Sequence, residues 1–323
     1  MAFTGPTLPF QQIALTIEPN GRLLRCWDLE GGVSAQVTAI EIGSPGGPPV
    51  RAVVRRFGPA DLQRNPHLAR DQFELLMGLH RDGLAVPKPL LFDEGRTVFD
   101  VPFLVLEYVE GSTELALQDV EGAVPQMAAH LARIHRIPGT ASTVSMLPRI
   151  EQACLAELGP SAAYSACGPQ DLAEQPTGEE STREILRSVM LLARRNPPTL
   201  LHGDYWPGNV VWKDGRLAAI IDWEDAAVGD PLADVSNARL EILWGFGRAR
   251  MEDFTKQYRE HMPEIDFTDL PYWDLYAALR LAPSEFADWG LGSEKEAIMR
   301  ERHREFVEQA LREFRAARAL GSL

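Results

Sequence analysis

Lysine is scarce in this sequence of 323 residues: Lys88, Lys213, Lys256 and Lys295 are all it has. None stands in a Gly-Lys-Ser or Gly-Lys-Thr tripeptide, which excludes a Walker-type phosphate loop. The three cysteines, Cys26, Cys154 and Cys167, form neither a Cys-x-x-Cys pair nor an even set, so no disulfide framework and no zinc site is expected. No apolar run is long enough to cross a bilayer, and the opening stretch MAFTGPTLPFQQIALTIEPN lacks a basic residue ahead of an apolar block. A cytoplasmic protein with no membrane partner is therefore expected. Positive charge is in deficit too: 32 Lys and Arg against 46 Asp and Glu leave a formal net charge of −14, which argues against a nucleic-acid partner.

What is present suits a folded enzyme-sized chain. With 45% hydrophobic and 24% charged residues, it can bury the core of one large or two medium domains. The first third alternates short apolar runs with turns (VTAIEI, GSPGGPP, VRAVVRRF, FLVLEYV), the pattern of an antiparallel sheet. One amphipathic helix, HLARDQFELLMGLH, interrupts it after Asn65-Pro66, read as an N-cap candidate and a first-turn proline. Beyond Glu110-Gly111 helical periodicity dominates, around 119–136, 183–194, 252–261, 270–287 and 294–319. The expected fold class is α+β, with a sheet domain over 1–110 carrying one main helix and a mainly helical domain over 111–323.

The chemistry is concentrated in residues 200–234, LLHGDYWPGNVVWKDGRLAAIIDWEDAAVGDPLAD. Its polar residues lie in turns between apolar strands, and Lys213-Asp214-Gly215-Arg216 reads as a hairpin turn that brings Asn209 and Asp222 to one end. Phosphoryl transfer needs a carboxylate to orient or deprotonate the attacking hydroxyl, and hard oxygen ligands for magnesium. Asp204, Asn209 and Asp222 supply that set, and the step of five from Asp204 to Asn209 is that of the protein kinase catalytic loop.

The segments HGDYWPGN and IIDWE resemble the catalytic and metal-binding motifs of the aminoglycoside phosphotransferase and choline kinase-like family. The resemblance runs in order over residues from about 25 to 290 and is specific over 200–234. It implies a protein kinase-like, two-lobed fold: a nucleotide-binding lobe over 1–110, and a helical lobe over 111–323 with the catalytic loop and acceptor site. It also implies an ATP-dependent (or GTP-dependent) small-molecule kinase that needs Mg²⁺ and phosphorylates a hydroxyl. Asp204 would be the catalytic base, Asn209 and Asp222 the metal ligands, and His202 a structural anchor. Asp230 and Asp234 of GDPLAD are read as helix-start residues.

On the nucleotide side, Gly31, Gly32 and Ser34 are expected to approach phosphate, and Glu107, Tyr108 and Val109 to meet the base. Strand alternation puts Arg55 and Arg56 on opposite faces without choosing between them as the phosphate clamp. The resemblance to the family's VLR element favours Arg55, with Arg56 a solvated neighbour. Its partner on the following helix would be Gln72 by register, or Asp71 after a small rotation. Trp206 and Asp225 are candidates to meet the acceptor, and Asp225, Glu285 and Asp288 leave an amine-bearing one open. The Arg-rich terminus REFRAARALGSL argues against a polycationic one. Gln72 and the missing lysine also leave a second reading open, a nucleotide-binding regulatory module that transfers little or no phosphate. Acceptor identity and oligomeric state are not readable.

Overall fold

The computed structural model describes residues 7–29, 35–158, 179–189, 195–281, 286 and 292–319. The chain separates into two compact units, one comprising residues 1–111 with 218–224, the other 112–217 with 225–323. The sequence does not foresee that residues 218–224 return to the first unit.

In the first unit, helix α1 (Leu8–Ile17) precedes strands β1 (Arg22–Asp28), β2 (Ala35–Gly43) and β3 (Val50–Phe57). Helices α2 (Pro59–Arg64) and α3 (Leu68–Arg81) follow, then β4 (Pro89–Asp93) and β5 (Phe103–Glu107). The five strands form one antiparallel sheet in the order β1-β2-β3-β5-β4. Period-two alternation decides what each face carries. In β3, Ala52 and Val54 are fully buried in a core with Phe10, Ile13, Leu23, Ile40, Ile42, Phe103 and Val105. Arg51, Val53 and Arg55 take the alternate positions.

Two expectations change here. Helix α1, not foreseen from the sequence, supplies Phe10, Ile13 and Ala14 to the core under the sheet. Arg56 is accordingly not a solvated neighbour: its guanidinium lies over Phe10 and Phe99 at 5.6 and 5.0 Å, a cation-π packing on the core side. The second correction concerns Asn65. Helix α3 begins at Leu68, so Pro66 lies ahead of it and Asn65 is the C-cap of α2. The Asn65 side chain accepts from the His67 amide at 2.9 Å and donates to Asp71 at 2.8 Å, turning the chain from one helix into the next.

In the second unit, α4 (Val120–His135), α5 (Ile150–Leu158) and α6 (Glu179–Val189) precede three short strands, β6 (Thr199–Leu201), β7 (Val210–Lys213) and β8 (Arg216–Ile220). The last of these spans the division, since its residues 218–220 belong to the first unit. Strand β9 (Ala227–Gly229) pairs antiparallel with β6. Helices α7 (Leu232–Phe246), α8 (Arg248–His261), α9 (Leu270–Arg280) and α10 (Ser293–Ala319) complete it. The turn between β7 and β8 has positive φ at Asp214 and Gly215, 50° and 71°, the two-residue geometry that Asp-Gly favours. Helix α7 packs against α8, α9 and α10, and α4 against α8. Along α10 the buried residues Met299, His303, Phe306, Ala310 and Phe314 recur every three or four positions, a single apolar stripe on a helix otherwise rich in charge. Among the described residues no helix is long and apolar enough to cross a membrane.

Candidate active site

The turn after β6 carries the HGD motif, and the backbone explains its glycine. Gly203 has φ +86°, and a Cβ there would sit 1.9 Å from the Asp225 carbonyl oxygen. No larger residue fits. The loop is anchored from beneath by Asp234, on the first turn of α7. Its Oδ2 accepts from the His202 amide at 2.6 Å and its Oδ1 from the Gly203 amide at 2.9 Å. The same carboxylate accepts from His135 Nε2 at 3.2 Å, while His135 Nδ1 accepts from the Tyr258 hydroxyl at 2.6 Å. Burial alone would raise the Asp234 carboxyl. The hydrogen bond from His135, with the charges and amide around it, holds it below the usual carboxylate value. Asp234 is therefore a buried tether between α4, α7 and the loop. Asp230 does act as a helix-start residue, since its Oδ1 accepts the Leu232 amide at 2.9 Å.

His202 is fully buried, edge-on to the Tyr205 ring, and its Nδ1 accepts the Asp204 amide at 3.3 Å. The loop then turns through residues 207–209, and Asn209 folds back: its Nδ2 donates to the Asp204 carbonyl at 2.9 Å and to Asp204 Oδ2 at 3.0 Å. Asp204 and Asn209 are thus brought together within this unit. Both of those bonds use the amide nitrogen of Asn209. Trp206 lies over Gly208, where a Cβ would be 2.1 Å from the indole.

Arg280, the last residue of α9, was not singled out by the sequence. Its Nη1 donates to the Gly203 carbonyl, its Nη2 to Asp225 Oδ2 at 3.1 Å, and Nη2 lies 3.6 Å from Asp204 Oδ1. Asp225 therefore already faces a cation. Glu285 and Asp288 lie outside the described residues, as do Gly31, Gly32 and Ser34. The signal for Arg280 was a lone charge in the apolar run YAALRLA. Arg280→Ala is expected to cost the loop about 1.5–3 kcal/mol, the worth of a hydrogen bond from a charged group, with kcat falling more than KM changes. Steady-state kinetics with any alcohol found to be phosphorylated check this.

A further carboxyl responds to Asp204. Burial first, and then the charge of Asp204, push Glu241 on α7 up to about 8, with Arg280 and Lys295 opposing. A carboxyl raised from 4.5 to about 8 on folding contributes stability that is complete below pH 4.5 and is lost as pH rises through about 8. Glu241→Gln should therefore flatten the decline in Tm across that interval. Thermal melts over a pH series measure it.

In the first unit, Asp222 follows β8 in a left-handed conformation, φ +66°. Its Oδ1 lies 2.7 Å from Arg55 Nη2, and Glu224 Oε2 lies 2.5 Å from the same nitrogen. This corrects the expected partner of Arg55. Gln72 is buried with its Nε2 unpartnered, and Asp71 is engaged by Asn65. The carboxylates at Arg55 come from the segment after β8 instead. Of the expected base-contacting backbone, the Glu107 and Tyr108 amides donate to the Lys88 and Arg51 carbonyls at 2.9 and 3.2 Å. Among the described residues no group of three or more His, Cys, Asp or Glu is placed to hold a metal. Magnesium on a triphosphate does not need one, because it takes one or two protein oxygens and fills its shell with phosphate and water. The Asp222 carboxylate in the first unit and the Asn209 amide in the second are each oxygen groups of the kind it takes.

An antiparallel-sheet unit with a buried arginine and a mainly helical unit with a tethered carboxylate loop match the kinase-like fold of solved phosphotransferase structures. Residues 28–268 match the profile described as "Phosphotransferase enzyme family", and the chain belongs to that family. The solved structure of amicoumacin kinase hAmiN in complex with AMP-PNP, Ca²⁺ and Ami superposes with a TM-score of 0.64 at 16% identity, covering 95% of this chain and 94% of that one. At that identity the likeness is one of fold. Hygromycin-B 4-O-kinase of Escherichia coli is 33% identical over 91 residues, 28% of this chain and 26% of that protein. Acyl-CoA dehydrogenase family member 11 of Homo sapiens is 26% identical over 202 residues, 59% of this chain. That match covers 25% of the human protein, so the chain spans about a quarter of this relative's length.

Proposed function

We propose that this protein transfers the γ-phosphate of ATP, or of GTP, to a hydroxyl of a small molecule, with Asp204 as the base. The observation that carries the reading is the pairing of Asp204 with Asn209 on a loop tethered by Asp234. Asn209 through its amide oxygen and Asp222 through its carboxylate would hold magnesium, which when bound offsets charge on the triphosphate. Arg55 would hold the phosphates, and Val109 with neighbouring carbonyls the base. Gly31, Gly32 and Ser34 would cover the phosphates. Trp206 would line the acceptor side, and Asp225, shared with Arg280, would border it. The kinase names of two of the similar proteins support a small hydroxyl compound as acceptor.

The protein chemistry then falls to Asp204, which accepts the proton of the attacking hydroxyl, and to Asn209, whose donated hydrogen bond fixes that carboxylate. The test is a thermal shift with nucleotide, with and without Mg²⁺, followed by γ-phosphate transfer to a panel of alcohols. Stabilisation that requires Mg²⁺ together with transfer is expected. One observation favours the regulatory-module reading: Arg55 lies on Asp222 itself and Gln72 has no charge to draw it away. Nucleotide binding without transfer to any of a wide panel would select that reading.

A further inference from the structure

We infer that Glu224, rather than any residue of α3, is the carboxylate that positions Arg55 for the nucleotide, and that it frees Asp222 for the metal. The inference rests on the kinase reading above and adds a positioning residue to it. The Arg55 side chain is 11% exposed, and a guanidinium so far from water needs a compensating anion. Helix α3 cannot provide one: Gln72 is neutral, Asp71 is held by Asn65, and Glu74 is exposed. Asp61 on α2 adds attraction at longer range but is itself paired with Arg64 at 2.8 Å. The nearest charges are Asp222 and Glu224, both on Arg55 Nη2.

The backbone is built to deliver those two together. Between them Trp223 is buried and its indole nitrogen donates to the Ile220 carbonyl at 3.0 Å, pinning the middle residue. The left-handed turn at Asp222 then lets residues 222 and 224 converge on one guanidinium. Two carboxylates on one nitrogen are more than the cation needs, and one of them is the residue read as a magnesium ligand. If Asp222 were the sole partner, each metal-binding event would strip Arg55 of its counter-charge. With Glu224 in place, Asp222 can turn to the metal while Arg55 stays held. The Nε of Arg55 is buried without a hydrogen-bond partner, so the guanidinium is not saturated by the two carboxylates.

The experiment is a titration of the full chain with Mg-ATP, followed by calorimetry or thermal shift at several Mg²⁺ concentrations, for wild type, Glu224→Gln, Arg55→Gln, the double variant and Glu224→Asp. Glu224→Gln is expected to weaken Mg-ATP about tenfold, the loss of one charge-assisted hydrogen bond, and to raise the Mg²⁺ needed for half-maximal binding. The double variant should be no weaker than Arg55→Gln alone, because the two residues act as one unit. Glu224→Asp, which keeps the charge, should recover part of the affinity and shows that loss in Glu224→Gln is not misfolding. Unchanged affinity and Mg²⁺ dependence in Glu224→Gln, or additive losses in the double variant, would overturn the inference while leaving the kinase reading intact. Failure of wild type to bind any magnesium nucleotide would overturn both.

Discussion

Asp204→Asn should lower turnover by about 10²–10⁴-fold, the range for removing a positioned general base, while Mg-nucleotide affinity stays close to that of wild type. The substitution is nearly isosteric, and the oxygen of the new side-chain amide can still accept from Asn209 Nδ2, as Asp204 Oδ2 does at 3.0 Å. The tether to Asp234 runs through the His202 and Gly203 amides and is untouched. What disappears is the ability to take a proton. The loss should therefore fall on kcat, with little change in KM for nucleotide, as expected when an interaction of the transition state is removed. Single-turnover transfer rates beside nucleotide-binding titrations would separate the two.

Asp234→Ala should destabilise the protein by about 3–5 kcal/mol, the cost of breaking a buried charged network, and should abolish transfer. Three donors depend on this carboxylate: the His202 amide, the Gly203 amide and His135 Nε2. All three are buried, and a buried donor left unpaired costs its desolvation in full. Asp234→Asn keeps one acceptor and should lose less. The carboxyl is held below the ordinary value of 3.8, so its contribution is complete above that pH and is lost as pH falls through the lowered folded value. Urea unfolding at neutral and acid pH should show the two variants converging with wild type on acidification. A Gly203→Ala control reaches the same loop through sterics, because its Cβ has no room.

The contrast between what could and could not be read from the chain follows the range of each interaction. The interval from Asp204 to Asn209 is local, so residue order alone brings the amide back onto the carboxylate. The Asp-Gly turn before β8 and the alternation of β3 are local too, and both were legible. Helix α1 was not, because LPFQQIALTI is short and its exposed Leu8 and Leu15 blur the i, i+3, i+4 spacing of Phe10, Ile13 and Ala14. The partner of Arg55 was misassigned because register along α3 ranks only α3 residues. The winning carboxylate is 169 residues away in sequence and arrives with a strand that returns to the first unit. Asp234 was placed at the start of a helix, yet its hydrogen bonds run back to the HGD turn over 32 and 31 residues. Arg280 and Glu241 belong to the same group, polar residues in apolar helix segments whose purpose emerges from packing.

The central claim is that this chain moves a phosphoryl group with Asp204 as base. Its most direct measurement is transfer of labelled γ-phosphate from Mg-ATP or Mg-GTP into a pool of small hydroxyl compounds, run in parallel for wild type and Asp204→Asn. Wild type is expected to give a Mg²⁺-dependent phosphomonoester product, reduced by at least about a hundredfold in the variant. Equal product from both proteins, or nucleotide binding with no product from a broad pool, would contradict the claim.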